Sequence, residues 1–296
     1  MSLFVASLGF GLVTASILAV AAVGFTLQFG VTNILNLAFG DIMTAAAFMG
    51  YIATKNGVSI WLALVIGGAF GALFSVLLNR LLYTPFVRHG TKLFGMIIVT
   101  IAVSLIIQNG IQAIWGPNFF SLKFSPGHSY HVLGSMVFTT AQFGIMGIAV
   151  GSMLGVYALL RYTKLGKAMR ATASDPALAR SCGIATDRVI DVAWLLSGTL
   201  CGIAGIALAM NVTSFTSTTG GTFLIAIVAS AVLGGVGQAY GAMLGALTIG
   251  ITSEVAAGVI SPDWKQVVAF GVLVAVLLIR PQGILSEVAQ DKEVVA

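Results

Sequence analysis

The sequence predicts an all-α polytopic membrane protein. Of its 296 residues, 58% are hydrophobic and only 8% are charged, and the mean hydropathy is +1.04. Soluble domains carry about 25% charged residues, and a soluble fold of this size could not bury so much apolar surface. We therefore predict about eight transmembrane helices plus a broken or re-entrant glycine-rich helical segment, within one transmembrane domain covering residues 1–296.

The predicted spans follow from the apolar runs, because a spanning helix needs about 20 apolar residues. The first run follows no basic segment and has no clear cleavage site, so we expect a span and not a signal peptide. Another apolar region, Phe223–Val259, is interrupted by glycines and predicts either a re-entrant hairpin or two crossings. The other predicted spans are Leu8–Gln28, Asn33–Thr54, Ile60–Leu82, Leu93–Trp115, Val137–Leu160, Val189–Met210 and Val267–Ile279.

The basic residues predict which loops face the cytoplasm. Eleven of the fourteen Lys and Arg residues lie in three segments: around Arg80–Lys92, in the loop Arg161–Arg188, and around the C-terminal tail, residues 281–296. Cytoplasmic loops carry such an excess, which also explains the net charge of +5 without a nucleic-acid partner. Gly116–Met136, the connections 211–221 and 261–265, and the N-terminus are then external.

No enzymatic or metal-binding pattern is present. The sequence contains no G-x-x-x-x-G-K-[ST], H-E-x-x-H or G-x-S-x-G motif. Cys182 and Cys201 have neither a metal-ligand spacing nor a disulfide framework, and the three histidines lie in predicted loops. We therefore expect a chain that is not an enzyme, with no catalytic residue, metal or cofactor of its own.

Polar residues in the second predicted span are candidates for a translocation path. Asn33, Asn36 and Asp41 lie within VTNILNLAFGDIM, and polar groups at membrane depth usually face the interior of the bundle. The spacing predicts that Asn33, Asn36 and Gly40 share a helical face, with Asp41 adjacent. The alternative is that these residues form interhelical hydrogen bonds or a helix cap. Glu254, near an external loop, either guards the external mouth or faces water.

The loop Arg161–Arg188 contains a predicted short helix. Ser174-Asp175-Pro176 is a helix start, with a side-chain cap followed by proline, and Gly183 is a C-cap for the helix Ala177–Cys182. Its small residues Ala177, Ala179 and Ser181 predict a face that docks on a cytoplasmic protein. The alternative is a topological anchor that binds anionic lipid head groups.

Four motifs, in order, resemble the permeases of branched-chain amino acid ABC importers. LGKAMRATASDPALARSCGI resembles the cytoplasmic coupling segment of that family. The other three are GFTLQFGVTNILNLAFGDIM (Gly24–Met43), similar to the family's polar break, AVLGGVGQAYGAMLGALTIG (Ala231–Gly250), similar to its broken helix, and LLIRPQGIL (Leu277–Leu285), similar to its closing motif. The resemblance implies two groups of site residues: Asn33, Asn36, Asp41, Gly234, Gly235 and Gly237 for translocation, and Arg170, Ser174, Asp175, Pro176, Ala179 and Gly183 for ATPase coupling.

The resemblance also implies partners and a place in the cell. It implies a second homologous permease subunit (a heterodimer), two cytoplasmic ATPases that bind the ATP and Mg, and an extracytoplasmic solute-binding protein, all at a bacterial inner membrane. Phe39 stands where family members often carry histidine, so the solute stays open: a branched-chain or related amino acid, or urea, short amides, polar amino acids or aromatic acids. A stand-alone secondary transporter or channel is the alternative from another class.

Overall fold

The computed structural model describes residues 2–125, 127–132, 136–235 and 237–279, and the described chain is almost entirely helical. The C-terminal tail, most of the LLIRPQGIL motif and Val236 lie outside the described residues. The elements in chain order are α1 Ser2–Thr32, α2 Phe39–Lys55, α3 Ile60–Leu78, a π-helical turn Asn79–Tyr83, α4 Thr84–Arg88, α5 Leu93–Trp115, β1 Ser129–Val132, β2 Met136–Thr139, α6 Thr140–Tyr162, α7 Lys164–Ser174, α8 Pro176–Ser181, α9 Thr186–Asn211, α10 Thr219–Gly234, α11 Ala239–Val259, a 3₁₀ turn Pro262–Trp264 and α12 Lys265–Ile279.

The all-α membrane architecture is confirmed, but a count of about eight spans is not. Within the described ranges, six helical stretches are long and apolar enough to cross a membrane: Ala6–Thr32, Ile60–Arg88, Leu93–Trp115, Thr140–Tyr162, Thr186–Asn211 and Ala239–Val259. α10 and α12 are apolar but shorter. α2 has 17 residues, because the chain leaves the helical conformation over residues 33–38 and the predicted span Asn33–Thr54 loses its first turns.

The helices α1 and α9 form the centre of the bundle. The apolar 18-residue stretch of α1 is 78% buried and that of α9 is 72% buried, whereas the corresponding stretches of α5 and α6 are each 22% buried. α1 packs along α11, and α9 packs along α3. Gly71 of α3 and Gly198 of α9 approach so closely that a Cβ on either would overlap the carbonyl oxygen of the other. These small residues therefore bring the two helices into backbone contact.

The glycine-rich segment is broken as predicted. α10 and α11 pack against each other on either side of a turn that contains Gly235 and Gly237. Gly234 and Gly241 face each other across this hairpin, each so close to the other's backbone that neither could carry a Cβ. At its other end α10 begins beside α2, where the Gly220 N–H donates to Thr44 Oγ1 across 2.9 Å.

The bundle has two chemically different ends. The one that carries Arg80, Arg88 and Arg180 is here called the arginine-rich end. At the opposite end, β1 and β2 form an antiparallel hairpin, and Phe120 and Phe215 exchange two backbone hydrogen bonds of 2.9 and 2.8 Å. The rings of Phe120 and Phe215 both pack against Phe48, at 5.1 and 5.2 Å between centroids. This aromatic cluster closes the opposite end over α2.

Candidate translocation path and coupling segment

The polar break between α1 and α2 covers residues 33–38 and is not helical. Asn33 takes a left-handed conformation, with φ of 52°, and its N–H donates to the Phe29 carbonyl across 2.7 Å. Asparagine tolerates this conformation better than most residues, so it ends α1 in the way glycine often does. The prediction that Asn33, Asn36 and Gly40 share a helical face is therefore wrong, and Asn33 is exposed.

Asn36 is fully buried at the centre of a hydrogen-bond network. Its Oδ1 accepts from the Ala38 N–H and from the Tyr83 hydroxyl, both at 3.2 Å, which holds the break in a turn. Its Nδ2 lies 3.4 Å from Gln28 Oε1, which also accepts from the Ser197 hydroxyl at 3.3 Å. The network joins the end of α1, the break, the π-helical turn and α9.

Three members of this network were missed from the sequence: Gln28, Tyr83 and Ser197. Gln28 gave the best signal, since it is an amide inside the apolar run GFTLQFG. Tyr83 is turned inward by the π-helical turn, a geometry that occurs frequently at functional sites. Its ring stacks on the indole of Trp194 at 5.0 Å between centroids, and the Trp194 Nε1 is buried without a hydrogen-bond partner among the described residues.

The Asp41 carboxylate lies deep in the bundle, in the first turn of α2, and is 2% exposed. It accepts a short hydrogen bond from the hydroxyl of Ser104, which lies midway along α5. Its second oxygen, Oδ1, has no hydrogen-bond partner among the described residues and lies beside Gly221 at the start of α10. Asp41 therefore faces the junction of α2, α5 and α10, apart from the Asn36 network.

The glycine turn between α10 and α11 meets the end of α1. Gly235 and Gly237 have φ values of 105° and 90°, which residues with a Cβ rarely adopt. A Cβ built on Gly30 of α1 would lie 3.3 Å from Gly237. The turn thus contacts α1 three residues before the polar break begins.

The coupling segment folds as two helices, α7 and α8, of which α8 is the predicted short helix. Asp175 caps α8, and its Oδ1 accepts from the N–H groups of Ala177 and Leu178 at 2.8 and 3.0 Å. Pro176 is the first residue of α8, and Gly183 follows it with a φ of 83°. The capped short helix and its glycine stop are confirmed, and α9 begins at Thr186, three residues before the predicted span Val189–Met210.

The exposed face of α8 differs from the predicted one. Ala177 and Ser181 are exposed, but Ala179 is 4% exposed, because α8 packs that side against its own chain. Ala179 therefore cannot belong to an outward face of small residues. The large apolar residue on the exposed face of α8 is Leu178, which is 63% exposed. Ser174 is exposed, and the Arg170 guanidinium donates to the Leu160 carbonyl, which fixes α7 to the end of α6.

Two cavities lie between the coupling segment and other elements at the arginine-rich end. One of about 610 Å³ is lined by Pro176 and Arg180 from the coupling segment and by Thr32 and Ile34 at the break. Arg80 and Asp191 also line it, as an ion pair of 2.7 Å. Another of about 280 Å³ is lined by residues of α7, of α1 and of the glycine turn, among them Met169, Arg170, Gly30 and Gly237.

A family model described as "Branched-chain amino acid transport system / permease component" matches residues 7–277. The chain belongs to this permease family. The permease is 29% identical to the high-affinity branched-chain amino acid transport system permease protein LivH of Escherichia coli (strain K12), over 95% of each chain. It is equally similar, over the same shares, to the permease protein BraD of Pseudomonas aeruginosa. A solved structure titled "PsaBC from Streptococcus pneumoniae in complex with Fab" aligns with a TM-score of 0.52 at 15% identity, over 92% of this chain and 91% of that one, and shows the same fold.

In this permease the predicted pathway residues do not form one site. Asn36 lies in the buried network and Asp41 at the α2–α10 junction, whereas Gly234, Gly235 and Gly237 form the turn near the arginine-rich end. The predicted coupling residues do cluster in sequence and space, on α7, on α8 and in the connection that follows them. The break joins the two groups of residues. Asn36 in the break belongs to the hydrogen-bond network, and Ile34 in the break lines the cavity that Pro176 and Arg180 also line.

Proposed function

We propose that this chain is the permease subunit of an ABC importer that moves a branched-chain or related amino acid by alternating access. The observation that carries the proposal is the position of α8. This capped helix presents an exposed face at the arginine-rich end and shares one cavity with the polar break. A protein that binds α8 from outside can therefore act on the break without contacting the solute.

The mechanism follows from what α8 and the break contact. Movement of α8 changes the cavity that it shares with Thr32 and Ile34, and these residues flank Asn33 in the break. The break is bonded through Asn36 to Tyr83 and Gln28, on two other helical elements. α1, α9 and the π-helical turn then shift together, and this shift opens the bundle to one side or the other. Coupling between distant sites is carried by packed structural elements that can adopt two discrete arrangements.

The partners proposed are those of an importer. Two cytoplasmic ATPases bind ATP and Mg and dock on α8, a second homologous permease completes the membrane unit, and an extracytoplasmic binding protein delivers the solute. The excess of Lys and Arg supports a cytoplasmic position for the arginine-rich end at the bacterial inner membrane. The permease forms one transmembrane domain and leaves ATP hydrolysis to its partners.

The proposed solute follows from the relatives. Those named above are permease proteins of branched-chain amino acid transport systems, and no observation favours urea, short amides or aromatic acids. Leucine, isoleucine and valine are therefore the solutes to test first. Solute specificity is measured as inhibition of radiolabelled L-leucine uptake by unlabelled solutes, in the complete transporter. Isoleucine and valine should compete, and urea and acetamide should not.

Docking on α8 is tested with Leu178→Glu. A carboxylate on this exposed residue introduces charge at the proposed contact without disturbing the buried side of α8. We expect the variant to insert normally but to lose co-purification with the ATPase. The matched control is Lys123→Glu, which places the same carboxylate on an exposed residue at the other end of the bundle and should retain the ATPase. Retention of the ATPase by Leu178→Glu at the wild-type level would contradict docking on this helix.

A further inference from the structure

A cavity of about 480 Å³ lies at the end of the bundle opposite the coupling segment. It is bounded by the ends of α9 and α11, the start of α10, and α12, together with part of α1. This cavity is separate from the polar break and from both cavities at the arginine-rich end, since none of its lining residues belongs to them. It is large enough for an amino acid and is not needed to explain the coupling described above.

A charged pair stands in the wall of this cavity. Lys265 Nζ lies 2.5 Å from Glu254 Oε1, and the same oxygen accepts from the Thr14 hydroxyl at 2.8 Å. The Glu254 side chain is only 13% exposed and that of Lys265 is 43% exposed. Burying a charge is costly unless it is paired, and this pair stands in a cavity wall, where a ligand can reach both groups.

Both charged groups have capacity for further hydrogen bonds. An ammonium group has three donors, and a carboxylate has about four acceptor sites. The two hydrogen bonds described here to Glu254 both engage Oε1. A zwitterionic α-amino acid carries the complementary pair, because its carboxylate matches Lys265 and its ammonium matches Glu254. Asn211, Thr222 and Gln266 add polar groups to the same wall.

One part of the cavity wall is apolar. Leu18 and Leu208 are buried residues of α1 and α9, and Phe223 and Ala226 add apolar surface from α10. A ligand whose charged head bound Glu254 and Lys265 would have its side chain against this surface. Small-molecule sites combine apolar surface with placed polar groups. The apolar surface from α1, α9 and α10 suits an aliphatic side chain.

We propose that this cavity is a binding site for the zwitterionic aliphatic amino acid at the external mouth, with Glu254 taking the α-ammonium group and Lys265 the α-carboxylate. The inference rests on the proposed function, since it assumes that an amino acid arrives at this side. It assigns to the permease itself a first contact with the solute. The permease would then select for the charged head and the aliphatic side chain of the solute at this site, after the binding protein has released the solute.

The test measures binding of radiolabelled L-leucine to the complex of permeases and ATPases in nanodiscs, without ATP and without the binding protein. We expect Lys265→Met and Glu254→Gln each to weaken binding by about tenfold or more, the loss expected for a hydrogen bond to a charged group. Leucinamide, which lacks the carboxylate, and 4-methylpentanoate, which lacks the ammonium group, should compete poorly. Lys123→Met, which removes an exposed basic residue outside the cavity, should bind leucine as the wild type does.

A second variant separates ligand binding from a merely structural ion pair. Ala226→Leu leaves Glu254 and Lys265 in place and fills part of the apolar surface, so leucine binding should fall more than alanine binding. The proposed site would be contradicted if Ala226→Leu changed leucine and alanine binding equally. It would also be contradicted if Lys265→Met and Glu254→Gln bound leucine as the wild type does. Failure of the wild-type transporter to import leucine with ATP and its binding protein would instead contradict the proposed function.

Discussion

Tyr83 donates its hydroxyl hydrogen to Asn36 Oδ1 across 3.2 Å, and both side chains are fully buried although 47 residues separate them in sequence. This hydrogen bond fastens the π-helical turn to the polar break. Because Gln28 and Ser197 extend the network to α1 and α9, the break cannot move alone. The break thus lies where three helical elements, α1, the π-helical turn and α9, are hydrogen-bonded together.

Removal of the Tyr83 hydroxyl tests the strength of this link. Tyr83→Phe should lower the free energy of unfolding by about 1 kcal/mol, because Asn36 Oδ1 still accepts from the Ala38 N–H. Thermal unfolding of the purified permease in detergent measures the effect. Tyr130→Phe, at an exposed tyrosine, is the matched control and should unfold as the wild type does.

Replacement of Asn36 should have a larger effect on transport. Asn36→Leu leaves the Tyr83 hydroxyl and the Ala38 N–H without their partner, at a cost of about 1–3 kcal/mol for each buried group. We expect the variant to assemble with its partners but to lose most of its uptake. Co-purification and initial uptake rates measure the two properties separately, and unchanged uptake would assign Asn36 to packing alone.

Close packing of α3 on α9 predicts a contrast between two glycines. Gly198→Ala should strongly destabilise the permease, because the new Cβ would overlap the Gly71 carbonyl oxygen and the side chain of Ser75. Gly151→Ala on α6 should be tolerated, since a Cβ there meets no atom within 4 Å. Overpacking typically costs about 1–3 kcal/mol. Equal unfolding temperatures for the two variants would show that α3 and α9 are less closely packed than described.

The cap of α8 predicts a local change in hydrogen exchange. Asp175→Ala removes the acceptor of the Ala177 and Leu178 N–H groups and should destabilise the start of α8 by about 1 kcal/mol. Deuterium uptake over residues 175–183 should then increase, while uptake over α9 stays unchanged. Asp175→Ser retains a capping oxygen and should restore most of the protection. Identical exchange in Asp175→Ala and the wild type would show that this cap does not hold the helix.

Two aspartates on α9 should differ in their importance for stability. Asp191 accepts from Asn79 at 3.1 Å and pairs with Arg80 at 2.7 Å, and its side chain is 24% exposed. Asp187 pairs with Arg180 at 3.6 Å, and both of those side chains are at least 70% exposed. Exposed pairs contribute little. Asp191→Asn should therefore lower the unfolding temperature more than Asp187→Asn, and the reverse order would contradict this assignment.

Features set by neighbouring residues could be predicted from the sequence. Ser174-Asp175-Pro176 and Gly183 determine the start and the end of α8 locally, and both were found. The glycines near residue 235 likewise predicted the break between α10 and α11. Asn33 was placed wrongly because the apolar pattern continues through the break, and only its left-handed backbone ends α1 there.

Features set by distant residues could not be predicted in this way. Tyr83 and Ser197 join Asn36 only after the π-helical turn and α9 pack against the break, and neither residue is unusual in its own segment. Ala179 was assigned to an outer face because its small side chain suited a docking surface, but α8 packs it inward. The Glu254–Lys265 pair crosses between α11 and α12, so its cavity is visible only in the fold.

The most direct test of the central claim is uptake of radiolabelled L-leucine by proteoliposomes. One set contains the permease with its second permease subunit, both ATPases, internal ATP and Mg, and external binding protein. Another set contains this chain alone under an imposed proton or sodium gradient. We expect uptake by the first set, abolished without ATP, and no uptake by the second. Leucine uptake by the chain alone, driven by either gradient, would contradict the proposed importer function.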